Sequence, residues 1–372
     1  MKKILFVATV TKHINIFHIP YLKWFKEQGY EVHVASRGNE KINYCDKHFD
    51  IPFERFPLKK DNVKAYKEIK KIINENEYEI IHCHTPVGGV VTRLAARKSR
   101  KKGTKVIYTA HGFHFYKGAP ILNWLIYYPI EKICSRWTDC LITINEEDYN
   151  LAKKHFKAKE IEHINGIGVN TQRLSKEITR DQKIELRKEL GIDEKDIVFS
   201  YIAELNKNKN QILLINTIIK LKDKFPNVKL LLIGDGDLLQ EYKKIIKLKG
   251  LEKNIFLLGK RDAINEFLSI TDIYLASSIR EGLGLNVIEA MYKKVPVIAT
   301  NNRGHRELIE NKKSGILLEQ NTVSEMVNEI EFLINIPEKM KIEMQNLARQ
   351  NVEKYILENV FVKMKKIYME FI

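Results

Sequence analysis

The residues best placed to do chemistry lie in one stretch, Arg280-Glu281-Gly282-Leu283-Gly284-Leu285-Asn286-Val287-Ile288-Glu289-Ala290. Glu281 and Glu289 are carboxylates separated by seven residues. A carboxylate accepts hydrogen bonds only, so it suits hydroxyl groups and can hold a vicinal diol. Gly282 and Gly284 let the backbone approach a ligand with no side chain in the way. Asp272 to Ser278 reads as a strand, and the residues after Gly284 read as a helix. The first backbone N–H groups of that helix would face the loop and suit a phosphate. Phosphate donors beside two diol-binding carboxylates describe a site for a nucleotide-sugar. A glycine-rich turn before an amphipathic helix with solvated glutamates is the plain alternative on these residues alone.

A second set of candidates is histidine. The first loop offers Lys12, His13 and His18. His82 and His84 end the apolar run Ile80 to Cys83. His111 and His114 follow the run Val106 to Thr109, with Gly112 and Phe113 between them. In open α/β sheets ligands collect outside the carboxyl ends of the strands, where these residues fall. His82 and His84 are read as alternating faces of their strand, so chelation by both is not expected. Asp235-Gly236-Asp237 contains an Asp-x-Asp pattern, but Asp-Gly before a helix is ordinary turn chemistry.

These residues need elements to hold them. Lys3 to Ala8 reads as a buried parallel strand, Thr9 to Asn15 as a loop, Ile16 to Gln28 as a helix closed by Gly29, and Glu31 to Ser36 as a strand. Further strands are expected at Ile80–Cys83, Lys105–Thr109, Cys140–Ile144 and Ile161–Ile164. The loop Asn165 to Asn170 leads out of this half. From Ile197 a second regular alternation begins, with strands at Val228–Ile233, Ile255–Leu258, Ile273–Ala276 and Pro296–Ala299. Two doubly wound α/β domains follow from this order. The first loop lacks Gly-x-Gly-x-x-Gly, which argues against a dinucleotide-binding domain.

Composition sets outer limits. The 372 residues suffice for two domains, and 44% hydrophobic with 30% charged residues is ordinary for a globular chain. No run of about 18 apolar residues is present, so no membrane span is expected. The four cysteines show neither metal spacing nor a disulfide framework, which makes a reducing cytoplasm the default. A net charge of +16 favours phosphate-bearing partners or an anionic membrane face. The lysines are scattered and no nucleic-acid recognition motif is present, so a nucleic-acid partner is not expected. The segment Pro120 to Trp137 is aromatic and basic. It could lie on a membrane interface or serve as a core helix; Lys98, Arg100, Lys101 and Lys102 form a second basic cluster.

The paired glutamates with Gly-x-Gly between them resemble the donor-site motif of glycosyltransferase family 4, a retaining family with the GT-B fold. Thr109-Ala110-His111-Gly112 is similar to another segment of that family. The longer run from His111 through Pro120 to Asn123-Trp124 resembles a branch that builds capsular and exopolysaccharides. The resemblance implies two Rossmann-like doubly wound domains facing across a cleft. The expected division is an acceptor-binding domain at 1–172, a donor-binding domain at 173–356, and a last helix at 357–372 crossing back to the first domain.

It also implies roles. Glu281 would lie beside the donor sugar, the backbone of Gly282, Leu283, Gly284 and Leu285 on sugar and phosphate, and Glu289 on the ribose. Lys209 would bind the donor diphosphate. Glu204 stands where the family usually has Arg, which reverses the expected charge, and Lys207 is a candidate compensator. Gly234 belongs to a family Gly-x-Gly turn, and Lys260 and Arg261 to a loop that packs on the base. His111, Glu281 and Lys209 are the expected catalytic residues. His13, His18, His84, His111, Phe113 and His114 are the acceptor-side candidates. No cofactor and no metal are expected, because Lys209 and the helix N-terminus can meet the diphosphate charge. The implied reaction moves a sugar from a nucleotide-diphosphate donor, UDP-linked, to a hydroxyl of a polyprenyl-diphosphate-linked saccharide. The expected location is the cytoplasm, peripheral on the inner face of the plasma membrane. A sugar-nucleotide 2-epimerase of the same architecture, or a transferase with a small soluble acceptor, are the alternatives.

Overall fold

The computed structural model describes residues 2–54, 56 and 59–372. The chain divides into two compact units, Met1–Gly168 with Glu358–Ile372, and Val169–Leu357.

The first unit is built on a parallel sheet of seven strands among the described residues: β1 (Lys3–Val10), β2 (Glu31–Arg37), β3 (Lys47–Asp50), β4 (Ile80–His84), β5 (Lys105–Ala110), β6 (Cys140–Thr143) and β7 (Glu160–His163). Their order is β3-β2-β1-β4-β5-β6-β7. The order in which strands are added therefore reverses between β1 and β4, the chain running outward to β3 on one side and to β7 on the other. β1 pairs with β2 and with β4, Phe6 lying opposite both Val34 and His82. Its central residues are fully buried because helices cover both faces, which explains the unbroken apolar run. On helix Asp61–Asn76, Ala65, Ile69, Ile72 and Ile73 recur at helical spacing and bury one stripe. Helix Pro86–Ala95 packs tightly through Gly89, where a Cβ would stand 2.3 Å from the Tyr108 ring.

The second unit has six parallel strands among the described residues: β8 (Ile197–Ile202), β9 (Val228–Ile233), β10 (Ile255–Leu257), β11 (Ile273–Ala276), β12 (Val297–Thr300) and β13 (Ile316–Leu318). Their order is β10-β9-β8-β11-β12-β13, so the reversal falls between β8 and β11.

Several expectations need correction. Thr9 to Asn15 is not a loop: β1 runs to Val10 and a helix occupies Thr11–Phe17. The single helix expected over 16–28 is broken at His18, because Pro20 in the first turn of helix Ile19–Glu27 has no N–H to continue the earlier one. Strands β3 and β13 and helices Asp61–Asn76, Pro86–Ala95 and Arg303–Leu308 were not expected as elements. β3 is Lys-His-Phe-Asp at the sheet edge, too polar to announce itself. Residues 358–372 belong to the first unit, where Tyr368 packs on Trp24 and Phe25 with ring centroids 5.8 Å and 4.9 Å apart.

Candidate functional site

In the second unit the site residues gather at the reversal between β8 and β11. Lys209 precedes helix Gln211–Leu221, and its Nζ donates to Glu281 Oε1 at 2.5 Å. The loop holding Lys209 is fixed by its own polar bonds. Lys209 N–H donates to Asn206 Oδ1, and Ser277 Oγ donates to the Lys209 carbonyl. Asn208 Nδ2 donates to the Arg280 carbonyl, tying this loop to the one that carries Glu281. Gly304 is needed beside it, since a Cβ there would stand 2.7 Å from Glu281 Cβ.

His305, which was not singled out from the sequence, is buried against the same group. Its Nδ1 lies 2.7 Å from the Thr300 carbonyl and 3.0 Å from Asn302 Nδ2. Burial lowers its pKa, partly offset by the Thr300 carbonyl and by Glu281. The ring therefore stays neutral, and its Cδ2 would lie 3.1 Å from a Cβ on Gly284. The helix after Gly284, Leu285–Tyr292, uses part of its first-turn donors internally. Leu285 N–H donates to the Leu283 carbonyl, and Val287 N–H to Asn286 Oδ1. Fewer amides are thus left for a phosphate than a bare helix N-terminus would offer.

Glu289 sits on that helix, 5% exposed, and accepts a hydrogen bond from Arg173. Burial pushes its pKa up and Arg173 pulls it down, with burial dominant. Arg173 is 116 residues away in sequence, and no local pattern signals it. Gly234 is a position that only glycine fits: φ is +152°, and a Cβ would stand 2.0 Å from the Ala203 carbonyl oxygen. Glu204 and Lys207 are exposed, as are Lys260 and Arg261. Arg261 Nε donates to the Leu258 carbonyl, which folds its side chain back on the loop. Asp235 Oδ1 accepts from Gly236 N–H, the turn bond expected of Asp-Gly.

In the first unit, four of the candidate histidines, His13, His18, His84 and His111, meet at the reversal between β1 and β4. His13 Nε2 lies 3.3 Å from His111 Nε2, and His111 Nε2 lies 3.4 Å from His84 Nδ1. His18 stacks on His84 with centroids 3.8 Å apart. Burial holds all four imidazoles neutral, His13 at about 4 and the others well below the usual histidine value. The expectation that His82 and His84 alternate faces is wrong. Residues two apart on a strand share a face, and their rings are 4.0 Å apart. They differ in partners instead: His82 is held between Tyr368 and Thr109, whereas His84 turns to His18 and His111.

Phe113 belongs to the core rather than to an open surface. It is 4% exposed, and its N–H donates to Asp148 Oδ2. The His114 ring stacks on Tyr127 and, with His13, lines a largely apolar cavity of about 410 Å³. Thr85 was not foreseen: it holds φ at +65°, rare for a β-branched residue, and its Oγ1 lies 2.6 Å from Thr9 Oγ1. Helix Ile121–Cys134 turns Trp124, Tyr127 and Tyr128 to the core while Ile121, Leu122 and Leu125 stay outside, 77%, 64% and 68% exposed. Among the described residues no helix is long and apolar enough to cross a membrane.

Residues 3–145 match the family described as glycosyl transferase 4-like, and residues 182–352 match glycosyl transferases group 1. The chain is 48% identical over 338 residues to the protein of Bacillus subtilis (strain 168) described as "Putative glycosyltransferase EpsD", covering 91% of this chain and 88% of that one. It is 25% identical over 316 residues to the UDP-Gal:alpha-D-GlcNAc-diphosphoundecaprenol alpha-1,3-galactosyltransferase of Escherichia coli, covering 84% and 80%. Among solved structures, Anabaena HepE in complex with UDP and glucose superposes with a TM-score of 0.81 at 18% identity over the full length of both chains. With two parallel doubly wound units and family matches in both halves, this chain belongs to the group 1 glycosyltransferases and has the GT-B fold.

Proposed function

We propose that the protein transfers a sugar, with retention, from a UDP-linked donor to a hydroxyl of a lipid-linked saccharide in capsule or exopolysaccharide biosynthesis. The observation that carries the donor half is the Lys209–Glu281 pair under Gly304, with Glu289 buried on the following helix. Lys209 offsets the charge that develops on the leaving diphosphate. Glu281 orients the donor sugar and holds Lys209 in place until the phosphates arrive. Glu289 exchanges Arg173 for the ribose diol. Glu204 is exposed and contributes no positive charge; Lys209 therefore carries the electrostatic role of the usual arginine as well as its own.

The acceptor half is supported by two features of the first unit. One is the neutral His111 beside His13 and His84, a set of hydrogen-bonding groups for a sugar hydroxyl. The other is the apolar cavity beside His13 and His114, which suits the first isoprene units of a polyprenyl carrier. The relatives agree in kind: one acts on a diphosphoundecaprenol-linked sugar, and another is a capsular polysaccharide glycosyltransferase of Staphylococcus aureus.

The test is thermal shift with a panel of nucleotide-sugars on wild type and Glu289→Ala. One UDP-sugar should raise the melting temperature of the wild type by mass action, and Glu289→Ala should abolish the shift. A wild type that responds to no nucleotide-sugar would remove the donor assignment.

A further inference from the structure

We infer that the hydrocarbon tail of the lipid-linked acceptor leaves the cavity beside His13 and His114 through the seam between helices Asp61–Asn76 and Pro86–Ala95, so that the first unit selects a long polyprenyl chain over a short one. This rests on the lipid-linked reading above and extends it from one cavity to a path. The cavity of about 410 Å³ and an outer groove of about 510 Å³ share Asn62, Val90 and Val91 as walls. Asn62 comes from the first of the two helices and the valines from the second. Beyond them the groove continues over Val63, Tyr66 and Leu94, and Val63 is 57% exposed. The apolar lining is thus continuous from a buried cavity to the surface of the unit.

Most polar groups along this path are already spent on the protein itself. Asn62 Nδ2 donates to the Phe56 carbonyl at 3.0 Å, and its Oδ1 accepts from Glu54 N–H at 2.9 Å. Thr9 and Thr85 bond each other through their hydroxyls. Glu131 accepts from Arg93 Nη2 at 2.8 Å and from Tyr108 Oη at 3.2 Å. These walls therefore give a saccharide little to bond and suit hydrocarbon. His13 also lines the cavity, and it joins this space to His111 and the acceptor side. At the outer groove Lys59, Lys60 and Arg97 are exposed. Cations there meet the anionic headgroups of the bilayer in which a polyprenyl chain is dissolved. Helix Pro86–Ala95 also packs against helix Ile121–Cys134, so the groove lies in the same layer of helices as the exposed Ile121, Leu122 and Leu125.

The full-length protein is titrated calorimetrically with geranyl, farnesyl and geranylgeranyl diphosphate, with no sugar nucleotide present. These carry two, three and four isoprene units. Affinity should rise at least about tenfold from the shortest to the longest, since each added unit buries further carbon. Val63→Glu places a carboxylate in the outer groove at an exposed position. It should weaken geranylgeranyl diphosphate at least about tenfold and leave geranyl diphosphate unchanged. Ile121→Glu, on an exposed apolar face outside the groove, should bind all three as wild type. Circular dichroism of each variant checks that the fold is intact. Equal affinity for the three chain lengths would overturn the path and leave the lipid-linked acceptor standing. So would a gain with length that folded Val63→Glu retains. A wild type that binds none of the three would remove the lipid-linked reading, and the path with it.

Discussion

Burial sets the chemistry of Glu289. Its carboxyl is nearly closed off from water, and its one strong partner, Arg173, is itself half-exposed. A carboxyl whose folded pKa is raised costs stability once it ionises. That cost is absent below the ordinary carboxyl range and grows as pH rises through the folded value. Glu289→Gln keeps the shape and removes the charge, and Arg173 can turn to solvent. The variant should therefore lie within about 1 kcal/mol of wild type, with its stability relative to wild type greater at pH 8 than at pH 5. Urea melts of both proteins at the two pH values measure this, and a pH-independent difference would show that Glu289 is not strained by burial. The same variant should lose donor affinity, since the amide has one acceptor oxygen in place of two and no charge to strengthen the hydrogen bonds from the diol. A site residue that is costly to fold and needed to bind is the usual trade at functional positions.

The element that invites a test is helix Ile121–Cys134. Its aromatic residues anchor it to the core of the first unit, so the helix is a structural part of the fold. Its outer face nevertheless presents Ile121, Leu122 and Leu125 near Lys117 and Lys132. Apolar side chains flanked by lysines suit the interface of an anionic bilayer, where burial of each large side chain contributes about 1.5–3 kcal/mol. Ile121→Glu with Leu125→Glu should reduce sedimentation with vesicles containing anionic lipid by at least tenfold, and leave the thermal melt unchanged because both side chains point outward. Equal sedimentation of variant and wild type would assign membrane attachment, if any, to another surface.

At the scale of the whole molecule, the last fifteen residues complete the first unit rather than trail from it. Val360, Met364, Ile367 and Tyr368 are buried, and Tyr368 Oη bonds His82 Nδ1 at 2.6 Å. Deleting residues 358–372 exposes that apolar surface together with Trp24 and Phe25. Four such side chains are worth about 6 kcal/mol or more, comparable with the stability of a typical domain. The deletion should yield protein whose first unit does not fold. Tyr368→Phe isolates the polar part: the packing stays and His82 loses a partner, for a cost of about 1–3 kcal/mol. A shift in the urea midpoint with unchanged slope would register it. A deletion variant with the wild-type melt would mean that the buried helix contributes little.

Local pattern carried much of this in the sequence. Strands such as β1, β9 and β11 are covered on both sides, so their buried stretches, 4–8, 230–233 and 273–276, are apolar and stand out from the helices between them. The turn at Gly234 was legible because its backbone, with φ at +152° and a Cβ that would stand 2.0 Å from the Ala203 carbonyl oxygen, demands glycine; the loop at Glu281 stood out by its residue types and spacing. Elements without that signal were missed, as with polar edge strand β3 and the helix broken at Pro20. The remaining decisions belong to tertiary structure. His13 meets His111 across 98 residues, Arg173 meets Glu289 across 116, and Tyr368 meets His82 across 286. Residue type and spacing by themselves determined two parallel α/β halves and the loops that carry their polar groups, because hydrophobic period and turn chemistry depend only on near neighbours. Which polar groups face one another was decided by strand order and register, which bring remote side chains together only once the sheets have formed.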